Sequence, residues 1–172
     1  MVQSEVPWWT ELRQNGMIIS PTVLSEFVAN GPFLERWPYE QLRDAYTSFV
    51  SQSEKNPDKN TILYQWFDTI FEHFLKHSPE SCKKHGGIPD TYKVLMTRKG
   101  ATSLRPDRLI LNDGDQDQPR FLVLFDTESP RLGMHRGRAV YSSFLDLLRG
   151  TGHPVGILTN GRQIRLTYAG ID

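Results

Sequence analysis

The sequence predicts an α/β protein of the α+β kind, a mixed sheet flanked by helices and preceded by a helical extension. Three features carry that expectation. Residues 1–80 place apolar side chains at helical spacing. From residue 88 onward, short β-rich runs alternate with turn residues. Between the third and fourth of those runs lies one amphipathic stretch, Arg136 to Arg149, long enough to cross over between strands.

The elements follow in order. Ser20-Pro21 supplies an N-cap and a first-turn proline, Val23, Leu24, Phe27 and Val28 keep helical spacing, and Asn30-Gly31-Pro32 ends the helix. A second helix starts near Pro38, with Leu42, Ala45, Tyr46, Phe49 and Val50 on one face. The polar stretch Ser51 to Asn60, which holds Pro57, reads as a loop. A third helix is expected from about Thr61 to His77. Tyr92 to Thr97 is a short β-like run, and Leu104 to Leu111 is a second with Arg105-Pro106-Asp107 inside it. Phe121 to Phe125 is continuously apolar, as in a strand covered on both faces. Within the crossover helix, Val140, Phe144, Leu147 and Leu148 face inward. Val155 to Leu158 is a strand, Asn160-Gly161 predicts a two-residue hairpin turn, and Gln163 to Tyr168 is the last strand. The first three strands are expected to form an antiparallel meander, with 1–60 as a helical extension and 61–172 as the α/β domain.

Composition excludes several classes. With 172 residues and 38% hydrophobic content, the chain can build a packed core. Lys+Arg and Asp+Glu are both 20, so any basic surface must come from local clustering. A single cysteine, Cys82, rules out a disulfide within the chain and a Cys-rich zinc site. No apolar run approaches the roughly 18 residues of a membrane span. The start, with Glu5, Trp8 and Trp9, lacks the basic-then-apolar order of a signal peptide. The expected setting is the cytoplasm, without a membrane partner. The abrupt stop at Ala169-Gly170-Ile171-Asp172, right after a strand, suggests a fragment of a longer protein.

Two acidic positions stand out. Asp107 follows Pro106 inside a β-rich segment, and Asp126 and Glu128 follow the most apolar strand. Residues two apart on a strand share a face, so Asp126 and Glu128 are expected to point the same way. Pairing with the strand of Asp107 would bring three carboxylates together. Crowded carboxylates repel unless a cation neutralises them, and hard oxygen ligands suit Mg²⁺ or Mn²⁺. The competing reading is plain: acids end strands because they reach water, and Pro-Asp is a common turn pair.

Element order and acidic positions together resemble the PD-(D/E)xK nuclease core, over about residues 61–168. The resemblance implies Asp107, Asp126 and Glu128 as catalytic metal ligands, and Glu72 as the extra helix acid of many members. It departs from the pattern at one position: Asp126-Thr127-Glu128 has glutamate where the usual lysine stands. The segment from Gly156 to Leu166, with Thr159-Asn160-Gly161, resembles a hairpin near the end of the nuclease-like N-terminal domain of large single-chain restriction–modification and phage-defence adenine methyltransferases. What this implies is a metal-dependent endonuclease domain acting on double-stranded DNA, with a methyltransferase domain downstream in the same chain. The alternative is an inactive nuclease-fold module for DNA binding or for assembly with the methyltransferase. No Asn-Pro-Pro-Tyr motif or Gly-rich cofactor loop occurs within these residues.

Basic residues complete the inventory. Arg131, Arg136, Arg138 and Arg149 cluster around the crossover helix beside one acid, Asp146, and Arg105 and Arg108 flank Asp107. Arg105, Arg131, Arg136 and Arg138 are candidates for phosphate contact, against the alternative of a solvated face. Asp113, Asp115 and Asp117 read as an exposed loop, since the terminal glutamate of a calcium loop is absent. His73 and His77 are four apart on one helix without a third ligand, which favours a packing role.

Overall fold

The computed structural model describes residues 36–96, 102–112, 115–133 and 137–170. All of them belong to the second of two compact units, Met1–Phe33 and Leu34–Asp172. The helix expected from Ser20 lies outside the described residues.

Helix α1 spans Arg36–Lys55 and α2 spans Lys59–Thr69. The expected loop from Ser51 to Asn60 is therefore much shorter, because α1 continues through Lys55. Pro57 disfavours helical backbone at the residue before it. Asp58 then restarts the helix, its carboxylate accepting the Thr61 amide at 3.1 Å. The expected end at His77 also moves. Regular α-geometry stops at Thr69 and is followed by a π-helical turn, Ile70–Phe74. Lys76, with φ of 58°, then turns the chain out of the helix.

The main sheet has five strands: β1 (Cys82–Lys84), β4 (Arg108–Asn112), β5 (Asp115–Phe125), β6 (Val155–Thr159) and β7 (Ile164–Tyr168), in the spatial order β1-β4-β5-β6-β7. All neighbours are antiparallel except β5 and β6, which run parallel. Helix α3, Gly137–Gly150, makes the crossover between those two. Two strands, β2 (Val94–Met96) and β3 (Thr102–Leu104), form a separate antiparallel ladder.

That separation corrects the expected meander. Its first strand, near Tyr92 to Thr97, does not join the main sheet; Cys82–Lys84 takes the edge position instead. The single strand expected from Leu104 to Leu111 is two strands in two sheets. Pro106 lies at the break, where a residue without an N–H suits a change of ladder. The Asn160-Gly161 turn is also wider than two residues, since Thr159 pairs with Ile164 and leaves 160–163 as the loop. Asn160 Oδ1 accepts the amides of Arg162 (3.1 Å) and Gln163 (2.8 Å), and Gly161 adopts φ of +80°.

Helices cover both faces of the sheet. On one face Phe144, Leu147 and Leu148 of α3 pack on Leu109, Leu111, Leu122, Leu124 and Leu158. On the other, Phe67 of α2 and Phe71 pack on Ile110, Val123, Phe121, Phe125 and Ile157. Leu122 and Val123 point to opposite faces and are both fully buried, as the continuous apolar run of β5 requires. Helix α1 lies on α2, with Phe49 stacked on Trp66 at 5.2 Å. Gly156 lets α3 approach: a Cβ there would stand 2.5 Å from Phe144 Cζ and 2.7 Å from the Leu122 carbonyl oxygen. No helix among the described residues is long and apolar enough to cross a membrane.

Candidate functional site

The sheet topology brings Asp107 and Asp126 to one end. Asp107 immediately precedes β4, Asp126 immediately follows β5, and those strands are antiparallel neighbours. The Asp107 amide donates to the Val123 carbonyl at 2.9 Å, which extends the ladder by one step. Its carboxylate bends back over the strand end. Oδ2 accepts the Phe125 amide at 2.8 Å and Oδ1 accepts the Tyr64 hydroxyl at 3.0 Å. Burial pushes the Asp107 carboxyl above its ordinary pKa; the Phe125 and Tyr64 hydrogen bonds and the nearby Arg108 act the other way. Tyr64 responds in kind. Burial, and then the negative charge of Asp107, push its phenol up to about 12.

Arg108 is the charge beneath this pair. Its guanidinium lies 4.6 Å from the centre of the Tyr64 ring and 5.7 Å from that of Phe125. Its Nη1 donates to the Asp107 backbone carbonyl at 3.0 Å, and its Nε stands 3.6 Å from Asp68 Oδ1. Lys84, opposite Arg108 on β1, binds Asp68 Oδ2 at 2.6 Å and stands 3.9 Å from Glu72 Oε1. Glu72 thus sits in a mixed-charge group with Asp68 and Lys84.

Asp126 is held differently. Its amide donates to the Thr159 carbonyl of β6 at 2.9 Å. Its Oδ1 accepts the amides of Glu128 (3.2 Å) and Ser129 (3.0 Å). The residue is 2% exposed, and both its Oδ2 and the neighbouring Ser129 Oγ are buried without a hydrogen-bond partner. Such an oxygen is costly to leave bare and suits a cation or a water.

The basis for aligning Asp126 with Glu128 does not hold. Strand β5 ends at Phe125, so residues 126–128 form a turn and strand alternation no longer applies. Asp126 folds inward onto the turn amides, while Glu128 is exposed. Among the described residues, no group of three or more His, Cys, Asp or Glu side chains is placed to hold a metal ion. The structure brings together Asp107 and the strand end that carries Asp126; it does not gather the expected set of acids.

Two of the basic candidates, Arg105 and Arg131, have side chains among the described residues. Arg105 Nη2 donates to the Ile88 carbonyl at 2.6 Å and to Asp90 Oδ1 at 2.9 Å, so it staples the segment before β2. Arg131 is exposed on the turn after Asp126. Arg136, and the side chain of Arg138, lie outside the described residues. The His77 ring stacks on Phe71 at 4.4 Å, a packing role. Tyr64, Asp68 and Lys84 were not singled out by the sequence, although Tyr64, Asp68 and Glu72 recur every fourth residue, the spacing of one helix face. No protein-family model, curated protein or solved structure matches the chain.

Proposed function

We propose that the chain is the nuclease-type module of a restriction or phage-defence protein, with a PD-(D/E)xK core, acting on double-stranded DNA by metal-dependent phosphodiester hydrolysis. The single observation that carries this reading is the bond from the Phe125 amide to Asp107. It ties the proline-aspartate carboxylate to the residue before Asp126, at the shared end of two antiparallel strands. The order helix, edge strand, β4, β5, crossover helix and parallel β6 supports the same core.

The residues fit a divalent cation in part. Asp126 Oδ2 is buried and unpartnered, and Asp107 keeps lone pairs beyond those used by Phe125 and Tyr64. A bound Mg²⁺ or Mn²⁺ would polarise a phosphate oxygen and make water more acidic. The chain's own contribution is orientation. Tyr64 and the Phe125 amide fix the Asp107 carboxylate, and the Glu128 and Ser129 amides fix that of Asp126. Glu128, exposed where a lysine is usual, supports the second reading, an inactive module that holds DNA or a methyltransferase domain downstream in the same chain.

A plasmid-nicking assay with Mg²⁺ or Mn²⁺ separates the two. Nicking that disappears in Asp107→Asn supports the first reading. A gel shift without nicking supports the second, and nicking that survives Asp107→Asn removes this site from the chemistry.

A further inference from the structure

Among the described residues, strand β7 is the outer strand of the main sheet, next to β6 alone. Gln163 and Ala169 direct backbone groups toward the β6 side: the Gln163 carbonyl accepts the Asn160 amide at 3.3 Å, and the Ala169 amide donates to the Pro154 carbonyl at 2.7 Å. In an antiparallel ladder the bonding direction alternates by residue. Arg165 and Thr167 therefore also bond to β6. Ile164, Leu166 and Tyr168 send both N–H and C=O outward.

The same three residues share one face, the α2 face, because Leu166 pairs with Ile157. They are 67%, 37% and 58% exposed. The apolar hollow beside them is lined by Phe67, Ile70, Phe71, Leu75 and Ile164. Strand β7 itself has no proline, no lysine and no shift in its register with β6, and its one charge, Arg165, lies on the opposite face of the sheet from Ile164, Leu166 and Tyr168. By contrast, the opposite edge, β1, is only Cys82–Lys84 and carries two lysines.

The pattern is its own complement. A two-fold axis at Leu166 would set Leu166 against Leu166 of a second copy, and Ile164 against its Tyr168. Every outward N–H of one strand would meet an outward C=O of the other. Arg165 would face Thr167, so no like charges oppose, and on its own sheet face Arg165 already lies 4.8 Å from the centre of the Tyr141 ring. We propose that β7 is a homodimer interface: two copies join edge to edge, antiparallel about Leu166, into one continuous ten-stranded sheet. This is independent of the nuclease reading.

Sedimentation of the 172-residue chain over roughly a hundredfold concentration range tests it. The expected species is twice 19.8 kDa, dissociating on dilution. Ile164→Lys should give a folded monomer. Adding Tyr168→Glu should restore the dimer, because the introduced lysine then faces the introduced glutamate of the other copy. Hydrogen exchange gives a second readout: the amides of Leu166 and Tyr168 should gain protection with concentration, while those of Arg165 and Thr167 stay protected throughout. A wild-type monomer at every concentration, a dimer that survives Ile164→Lys, or a double variant that stays monomeric would each overturn the proposal.

Discussion

Replacing Asp107 separates its two structural bonds from its charge. Asp107→Ala removes the acceptor of the Phe125 amide and of the Tyr64 hydroxyl. Tyr64 is partly exposed and can turn toward water, but the backbone amide cannot move. Leaving that donor without a partner costs about 1–2 kcal/mol. Asp107→Asn keeps the geometry. The side-chain oxygen still accepts from Phe125, and the side-chain NH₂ can donate to Tyr64 Oη, since a hydroxyl also accepts. The asparagine also avoids burying a charge. Because burial raises the Asp107 pKa, the folded protein holds this proton to higher pH than the unfolded chain does. That stabilisation is complete below the ordinary aspartate value and is lost as pH rises through the folded value. Asp107→Asn should therefore match or exceed wild type in urea unfolding at neutral pH, and the difference should shrink or reverse in mild acid. Asp107→Ala should fall below both at neutral pH. An Asn variant as unstable as the Ala variant at neutral pH would refute the reasoning.

Other outcomes follow from the same contacts. Phe144→Ala, at the fully buried centre of the α3 face, should lower stability by about 3–5 kcal/mol in the same unfolding experiment. Gly156→Ala should cost about 1–3 kcal/mol, since the added methyl meets the Leu122 carbonyl oxygen, which has little room to move. Lys84→Ala should change stability by under about 1 kcal/mol, because its ion pairs are half exposed. In a phenolate absorbance titration one tyrosine should stay neutral until about pH 12, and Tyr64→Phe should remove that late step.

The parts legible in the sequence were those whose signal is local. The apolar run of β5, the amphipathic α3 and the strand at Val155 each carry their own pattern and form where it places them, but β5 also reaches back to Asp115, so Asp115 and Asp117 belong to the strand and not to the expected loop. Strand β1 was not legible. Cys82-Lys83-Lys84 has no alternating apolar signal, and it is a strand because β4 offers it a free edge. The split at Pro106 depends on which ladder Thr102–Leu104 finds, a tertiary matter. At the site, Asp107 stood out because proline precedes it. The inward turn of Asp126 was hidden, because it depends on where β5 ends rather than on residue type. Tyr64 was hidden for a similar reason: on α2 it looks like one more aromatic until the sheet supplies Asp107.

The one parallel junction in the sheet has a consequence for how the chain folds. The pairs β4–β5 and β6–β7 join strands adjacent in sequence and can close early. Strands β5 and β6 meet only after the segment containing α3 has passed over the sheet, so their union carries the larger loop-closure cost. We expect the docking of α3 to gate the merging of two preformed hairpins. On that view Phe144→Ala should slow refolding, whereas Leu166→Ala, at the outer strand, should mainly speed unfolding. Stopped-flow traces in which both variants change only the unfolding rate would remove α3 from the nucleus.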